Sequence, residues 1–116
     1  MEEKSIMKKQ KENYLEKIPV LPPMQWTTEE NIVTIQKENN GFFDKIAQKF
    51  FKRPKISYIH LDEYGSFVWQ IVDGEKNIIK LGIDVKNHFG EKSEPLYPRL
   101  AKFFQILDSY GFIDWK

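Results

Sequence analysis

The stretch that decides the fold reads Lys55-Ile56-Ser57-Tyr58-Ile59-His60-Leu61-Asp62-Glu63-Tyr64-Gly65-Ser66-Phe67-Val68-Trp69-Gln70. The first half alternates between two faces, which predicts a β-strand over residues 55–61. The second half changes to helical spacing behind Asp62, a favourable N-cap residue, and Asp73-Gly74 ends the predicted helix. This stretch therefore predicts a strand that runs directly into a helix.

Two more β-segments precede this stretch, at residues 24–27 and 32–36. They are rich in β-branched and aromatic residues and are separated by the polar residues 28–31, so they predict a hairpin. Between the hairpin and the third strand, residues 41–54 form a basic, aromatic insert with apolar residues at helical spacing. We predict that this insert packs on the sheet; docking to a partner or to a membrane surface is the alternative.

Two further helices are predicted after residue 74. Asn77 and Ser93 are their predicted N-caps, and Gly111 is the predicted C′ residue of the last helix. The apolar side chains at helical spacing, which we predict to be buried, are Ile78, Leu81, Val85 and Phe89 in the first and Leu96, Leu100, Phe103 and Leu107 in the second. Residues 112–115 are predicted to pair or pack at an edge. The predicted fold is α+β, in the order βββααα.

Length and charge bound the class of protein. A chain of 116 residues suits one hydrophobic core, and we predict a charged, solvated N-terminal tail over 1–19 and one domain over 20–116, with docking of Tyr14 and Leu15 as the alternative for the tail. The formal net charge of +1 gives no overall field that would attract nucleic acid or anionic lipid. The sequence shows neither a signal peptide nor a membrane span, so we expect a cytoplasmic location.

Residues for catalysis or metal binding do not occur in a recognisable pattern. The chain has no cysteine, and His60 and His88 lack the spacing of a metal-binding pair. Neither a phosphate-binding glycine loop nor a nucleophile elbow is present. Asp62 and Glu63 are adjacent carboxylates, but helix capping accounts for them. We therefore predict a protein that is not an enzyme and has no catalytic residues, metal or cofactor.

A resemblance to a known family rests on several short motifs. They are the run from Tyr58 to Gln70, Val72-Asp73-Gly74, Phe89-Gly90, Glu94-Pro95-Leu96-Tyr97, and Leu107 with Gly111-Phe112-Ile113. Together they resemble the PqqD family over residues 24–113. The resemblance implies a winged helix-turn-helix, with a three-stranded antiparallel sheet followed by three helices. It also implies a peptide chaperone: related domains, called RiPP recognition elements, hold the leader of a ribosomally made precursor peptide for a modifying enzyme, often a radical-SAM enzyme.

The same resemblance implies a peptide-binding surface on the third strand and the third helix. Main-chain groups of an exposed edge strand can bind a guest strand, and neighbouring pockets can then select its side chains. The positions carried over are Lys55, Ile56, Ser57, Tyr58 and Ile59 on the strand and Tyr97, Arg99, Leu100, Ala101 and Phe104 on the helix. We expect Ile59, Leu100 and Phe103 to be core residues, whereas core and surface are equally open for Tyr58, Tyr97, Ala101 and Phe104.

Two other functions compete with peptide binding. One is a scaffold subunit that docks an enzyme through residues 42–51, which deletion of that segment would reveal. The other is a winged-helix DNA-binding regulator, but its recognition helix would carry only Arg99 and Lys102 beside Asp108, and salt-dependent duplex binding would be its sign. We therefore expect no nucleic acid partner. The exposed edge strand could also pair with a second copy, giving a homodimer.

Overall fold

The computed structural model describes residues 14–38 and 56–116. In this part of the chain, the strands are β1 (Pro19–Val20), β2 (Trp26–Glu29), β3 (Ile32–Glu38), β4 (Ile56–His60) and β5 (Asp114–Trp115). The helices are α1 (Glu63–Ile71), α2 (Ile78–Phe89) and α3 (Leu96–Ser109), with a 3₁₀ helix, Gly90–Ser93, between the last two. The α+β class is therefore confirmed. Residues 14–22 and 67–116 belong to one compact unit, and residues 23–38 and 56–66 belong to a second. The predicted insert at 41–54 and Lys55 lie outside the described residues.

The unit of residues 23–66 contains an antiparallel sheet in the order β2-β3-β4. A two-residue turn joins β2 to β3, because Glu30 and Asn31 have φ values of 50° and 65° and two such residues match the twist of a hairpin. The four-residue turn predicted at 28–31 is therefore wrong, since Thr28 and Glu29 continue the strand. The predicted hairpin and third strand are confirmed, with bounds shifted by a few residues.

A buried serine joins the hairpin to the start of α1. The backbone N–H of Val33 donates to Ser66 Oγ at 2.8 Å, and both residues are fully buried. Asp62 caps the helix as predicted, since its side chain accepts from the N–H of Gly65 at 2.7 Å. These two bonds fix the direction in which the chain leaves β4 and enters α1.

The other unit is built on α2 and α3. Asn77 caps α2 as predicted, accepting from the N–H of Lys80 at 2.9 Å. Gly82 allows a close approach of the two helices: a Cβ added there would lie 2.7 Å from Tyr97 Cε1 and 3.2 Å from Leu100 Cδ1. Glycine at this position therefore lets the ring of Tyr97 lie directly on α2.

The start of α3 differs from the prediction. Ser93 belongs to the 3₁₀ helix, where its hydroxyl donates to the Gly90 carbonyl at 2.6 Å, so it does not cap α3. The helix begins at Leu96, whose N–H donates to Glu94 Oε2 at 3.3 Å. The carboxylate of Glu94, two residues before the helix, thus accepts the hydrogen bond that we predicted for the hydroxyl of Ser93.

The end of α3 is the predicted glycine stop. Gly111 has a φ of 74°, its N–H donates to the Asp108 carbonyl, and the N–H of Phe112 donates to the Leu107 carbonyl at 2.8 Å. These are the two bonds of a Schellman motif, which requires left-handed backbone at this position. The buried side chains of α3 are Leu100, Phe104 and Leu107, so Phe104 replaces Phe103 in the predicted stripe and Leu96 is only half-buried.

The N-terminal strap, residues 14–20, is part of the folded unit. Pro19 pairs with Trp115 in the two-stranded sheet β1–β5. This pairing agrees with the prediction that residues 112–115 pair or pack at an edge. The ring of Tyr14 meets that of Trp115 edge-on, with centroids 5.6 Å apart. The carbonyl of Lys17 accepts from the N–H of Ile78, the first residue of α2. The part of the predicted tail that the structure describes is therefore held by main-chain bonds and ring packing.

Tyr14 provides a test of this docking by pH. Burial, with a smaller contribution from the Asp108 carboxylate, raises the pKa of Tyr14 from 10.0 to about 12. Because the unfolded chain loses this proton first, the contribution of Tyr14 to stability is complete below pH 10 and is lost as the pH rises towards 12. We expect the absorbance titration of the tyrosines to contain a late component that Tyr14→Phe removes. If Tyr14→Phe removes no late component from the titration, the docked strap is contradicted.

Candidate functional site

Strand β4 is an edge of its sheet within the described residues, where it pairs with β3 alone. The N–H of Leu61 donates to the Val33 carbonyl at 2.9 Å, which fixes the phase of the ladder. Directly opposed residues alternate between bonded and non-bonded pairs, so Ile59 and Ser57 turn their main-chain groups towards β3. The N–H and C=O groups of the intervening residues Ile56, Tyr58 and His60 therefore point away from β3.

The same three residues also expose their side chains. Tyr58 is 59% exposed and Ile56 is 39% exposed, whereas Ser57 and Ile59 on the other face are half-buried. His60 is exposed as well, and its Nδ1 lies 2.8 Å from Thr34 Oγ1. Within the described residues, outward main-chain groups and exposed side chains thus coincide along one short strand, which we call the β4 edge (Ile56, Tyr58 and His60).

The strand residues carried over by resemblance lie on or beside the β4 edge. Ile56 and Tyr58 are part of it, while Ser57 and Ile59 face the half-buried side. Ile59, which we expected to be a core residue, is half-buried rather than fully buried. Lys55 lies outside the described residues.

The helix residues carried over by resemblance are less accessible. Leu100 and Phe104 are fully buried, so neither can contact a peptide in this conformation. The sequence does not distinguish between core and surface for Phe104, and the core is its observed location. The Tyr97 hydroxyl donates to the Ile79 carbonyl at 3.2 Å, and Ala101 is half-buried. Arg99 Nη1 donates to the Lys92 carbonyl at 2.7 Å.

Two exposed apolar pairs were missed by the sequence reasoning. Ile106 on α3 and Tyr110, the residue that directly follows α3, are exposed four residues apart, and Tyr110 is 60% exposed. Ile79 and Ile83 are exposed on α2 at the same spacing. The helical pattern contained the signal, since each pair forms a second apolar row beside the buried stripe, but the pattern alone does not say which row is covered.

The charged groups with shifted pKa values form surface ion pairs and turns. A hydrogen bond from Lys86, 2.7 Å from Glu94, lowers the pKa of Glu94, and the Asp84 carboxylate raises the pKa of Lys76. Backbone N–H groups of Lys76 and Glu75 lower the pKa of Asp73. Each of these shifts moves the pKa of the group further from pH 7, whereas a general acid or base needs a pKa near the pH at which it works. Within residues 14–38 and 56–116, no three His, Asp or Glu side chains are placed to hold a metal ion.

Comparison of the chain with protein-family models, with curated proteins and with solved structures found no match. None of the helices in the described part of the chain has the length and apolar character needed to cross a membrane.

Proposed function

We propose that this protein binds an extended peptide, which adds to the sheet as a strand along the β4 edge. The observation that carries the proposal is the outward direction of the main-chain groups of Ile56, Tyr58 and His60, on a strand whose side chains there are exposed. Strand addition of this kind gives affinity through the main chain and leaves selectivity to side chains. The protein acts without catalysis, by holding its guest.

The affinity available from the main chain is limited. The three residues offer three donors and three acceptors, and each hydrogen bond contributes about 0.5–1.5 kcal/mol net of water. Association costs about 4–15 kcal/mol in lost freedom before any bond is gained. The main chain alone therefore supports weak binding, so contacts with the guest's side chains must supply the rest.

The biological role that we propose is that of a PqqD-like peptide chaperone. The guest is then the leader of a ribosomally made precursor peptide, held for a modifying enzyme of the radical-SAM type. The motif resemblance supports this role, and so does the order of the sheet and helices, β2-β3-β4 followed by α1, α2 and α3. In this proposal the topology is that of a winged helix-turn-helix, to which β1 and β5 add a second small sheet.

The test uses a displayed library of short peptides, together with peptides encoded beside the gene. The tightest binder is synthesised with a fluorescent label and titrated by anisotropy. Copies are then made with a single backbone N-methyl group at each position in turn. Because only alternate residues of an added strand bond to β4, we expect methylation to abolish binding at alternate positions and to leave it nearly unchanged between them.

Two variants of one residue give the matched control on the protein side. Tyr58→Ala removes the side chain and keeps the outward N–H, whereas Tyr58→Pro removes both, and proline is tolerated on an open strand edge. We expect Tyr58→Pro to bind the peptide at least about twofold more weakly than Tyr58→Ala, the effect of one lost hydrogen bond. Circular dichroism checks that both variants fold. No binder at tens of micromolar, or equal binding by the two folded variants, would refute strand addition here.

A further inference from the structure

We propose that Tyr58 and His60 select the guest, which carries an aromatic or β-branched side chain in line with Tyr58 and a hydrogen-bond acceptor two residues before it, in line with His60. This inference rests on the proposed strand addition and names the class of peptide that the edge accepts.

Register decides which guest residues meet these two side chains. Directly opposed residues on neighbouring strands place their side chains on the same face, as Gln36 does with Tyr58 and Thr34 with His60. A guest on the other side of β4 extends the same rows across the sheet. Since an antiparallel guest runs opposite to β4, the residue in line with His60 precedes the residue in line with Tyr58 by two positions.

Tyr58 is largely exposed. Its neighbour in the row on β3 is Gln36, and among the described residues no other ring contacts it. A flat, largely exposed ring at a strand edge gains most from an aromatic or β-branched cross-strand neighbour, which is worth about 1.5- to fivefold in affinity over alanine.

The imidazole of His60 is a group of the β4 edge that can form a side-chain hydrogen bond with the guest. Thr34 Oγ1 lies 2.8 Å from its Nδ1, and when the threonine hydroxyl donates, the ring proton is on Nε2. The exposed imidazole then has one donor left for the guest. An Asp, Asn or Glu side chain in line with His60 can accept from it, whereas an aliphatic side chain cannot.

A double-mutant cycle tests the pairing directly. Each residue of the library-derived binder is replaced by alanine, and every peptide is titrated against the parent protein, Tyr58→Ala and His60→Ala. At one aromatic or β-branched position, we expect alanine to lower the affinity of the peptide for the parent protein about 1.5- to fivefold. The same replacement should not lower the affinity for Tyr58→Ala. Two positions before it in the peptide, we expect alanine to lower the affinity for the parent protein. The same replacement should not lower the affinity for His60→Ala.

The controls separate this inference from the proposed function. Tyr110→Ala removes an equally exposed tyrosine at the C-terminal end of α3, and the full pattern of alanine effects should persist in this variant. If peptides bind with the alternate N-methyl pattern but their alanine effects persist in Tyr58→Ala and His60→Ala, the selectivity inference fails and strand addition stands. The inference also fails if the coupled polar residue follows the aromatic one. If no peptide binds, the proposed function itself is refuted.

Discussion

Phe104→Ala should lower the free energy of unfolding by about 3–5 kcal/mol, the usual cost of removing a fully buried phenylalanine. The ring of Phe104 lies 5.3 Å from that of Phe103 and 6.1 Å from that of Trp115, centroid to centroid. Truncation therefore leaves a cavity beside two large rings, which cannot both close over it. A loss of this size is a large part of the 5–15 kcal/mol by which a small domain is typically stable.

Phe103→Ala is the matched control for this prediction. It is the same change one residue earlier on α3, but Phe103 is only half-buried, so we expect a loss of at most about 2 kcal/mol. Urea denaturation followed by circular dichroism measures both variants. Equal losses, or a larger loss for Phe103→Ala, would mean that α3 is rotated to the orientation predicted from the sequence, since one residue corresponds to about 100° around the helix.

Ser66→Ala should lower the free energy of unfolding by about 1–3 kcal/mol, although it removes a single oxygen atom. Ser66 Oγ accepts from the buried N–H of Val33 at 2.8 Å and lies 3.3 Å from the Leu61 carbonyl. Alanine cannot accept a hydrogen bond, so the Val33 N–H would remain buried without its acceptor. The cost is the desolvation of that group, which exceeds the ordinary net value of one hydrogen bond.

Hydrogen exchange at the Val33 amide gives the direct readout of this effect, together with chemical denaturation. Ser109→Ala is the control, because Ser109 is exposed and donates to the Ile106 carbonyl at 2.7 Å within its own helix. We expect it to change stability by about 0.5 kcal/mol or less, as most surface substitutions do. Unchanged protection of the Val33 amide in Ser66→Ala would exclude the role that we assign to this serine.

Several elements were predicted well because their signals are local. Asp62 and Asn77 cap their helices through bonds to residues three positions away, and Gly111 adopts the positive φ expected of a C′ glycine. The errors are also local. Ser93 and Glu94 both offer oxygens before α3, and the sequence alone does not rank them; the structure uses Glu94 as the acceptor.

Some features of the candidate site follow from local patterns, and others depend on distant parts of the chain. Alternation in the strand correctly placed Ile56, Tyr58 and His60 on one face, because side-chain direction in a strand has a period of two. That the main-chain groups of these residues also point away from β3 depends on the phase of the ladder with β3, which no local pattern encodes. The pairing of β1 with β5 likewise joins residues almost a hundred positions apart.

The sequence by itself determined the caps that begin α1 and α2, the glycine that ends α3 and which strand residues share a face, because capping bonds and backbone periodicity act over a few residues. Tertiary structure decided that Phe104 rather than Phe103 is buried, that the N-terminal strap pairs with β5, and which main-chain groups of β4 point outward. These outcomes depend on packing and hydrogen bonds between distant segments. Competing arrangements satisfy the same local preferences, and only contacts across the fold distinguish between them.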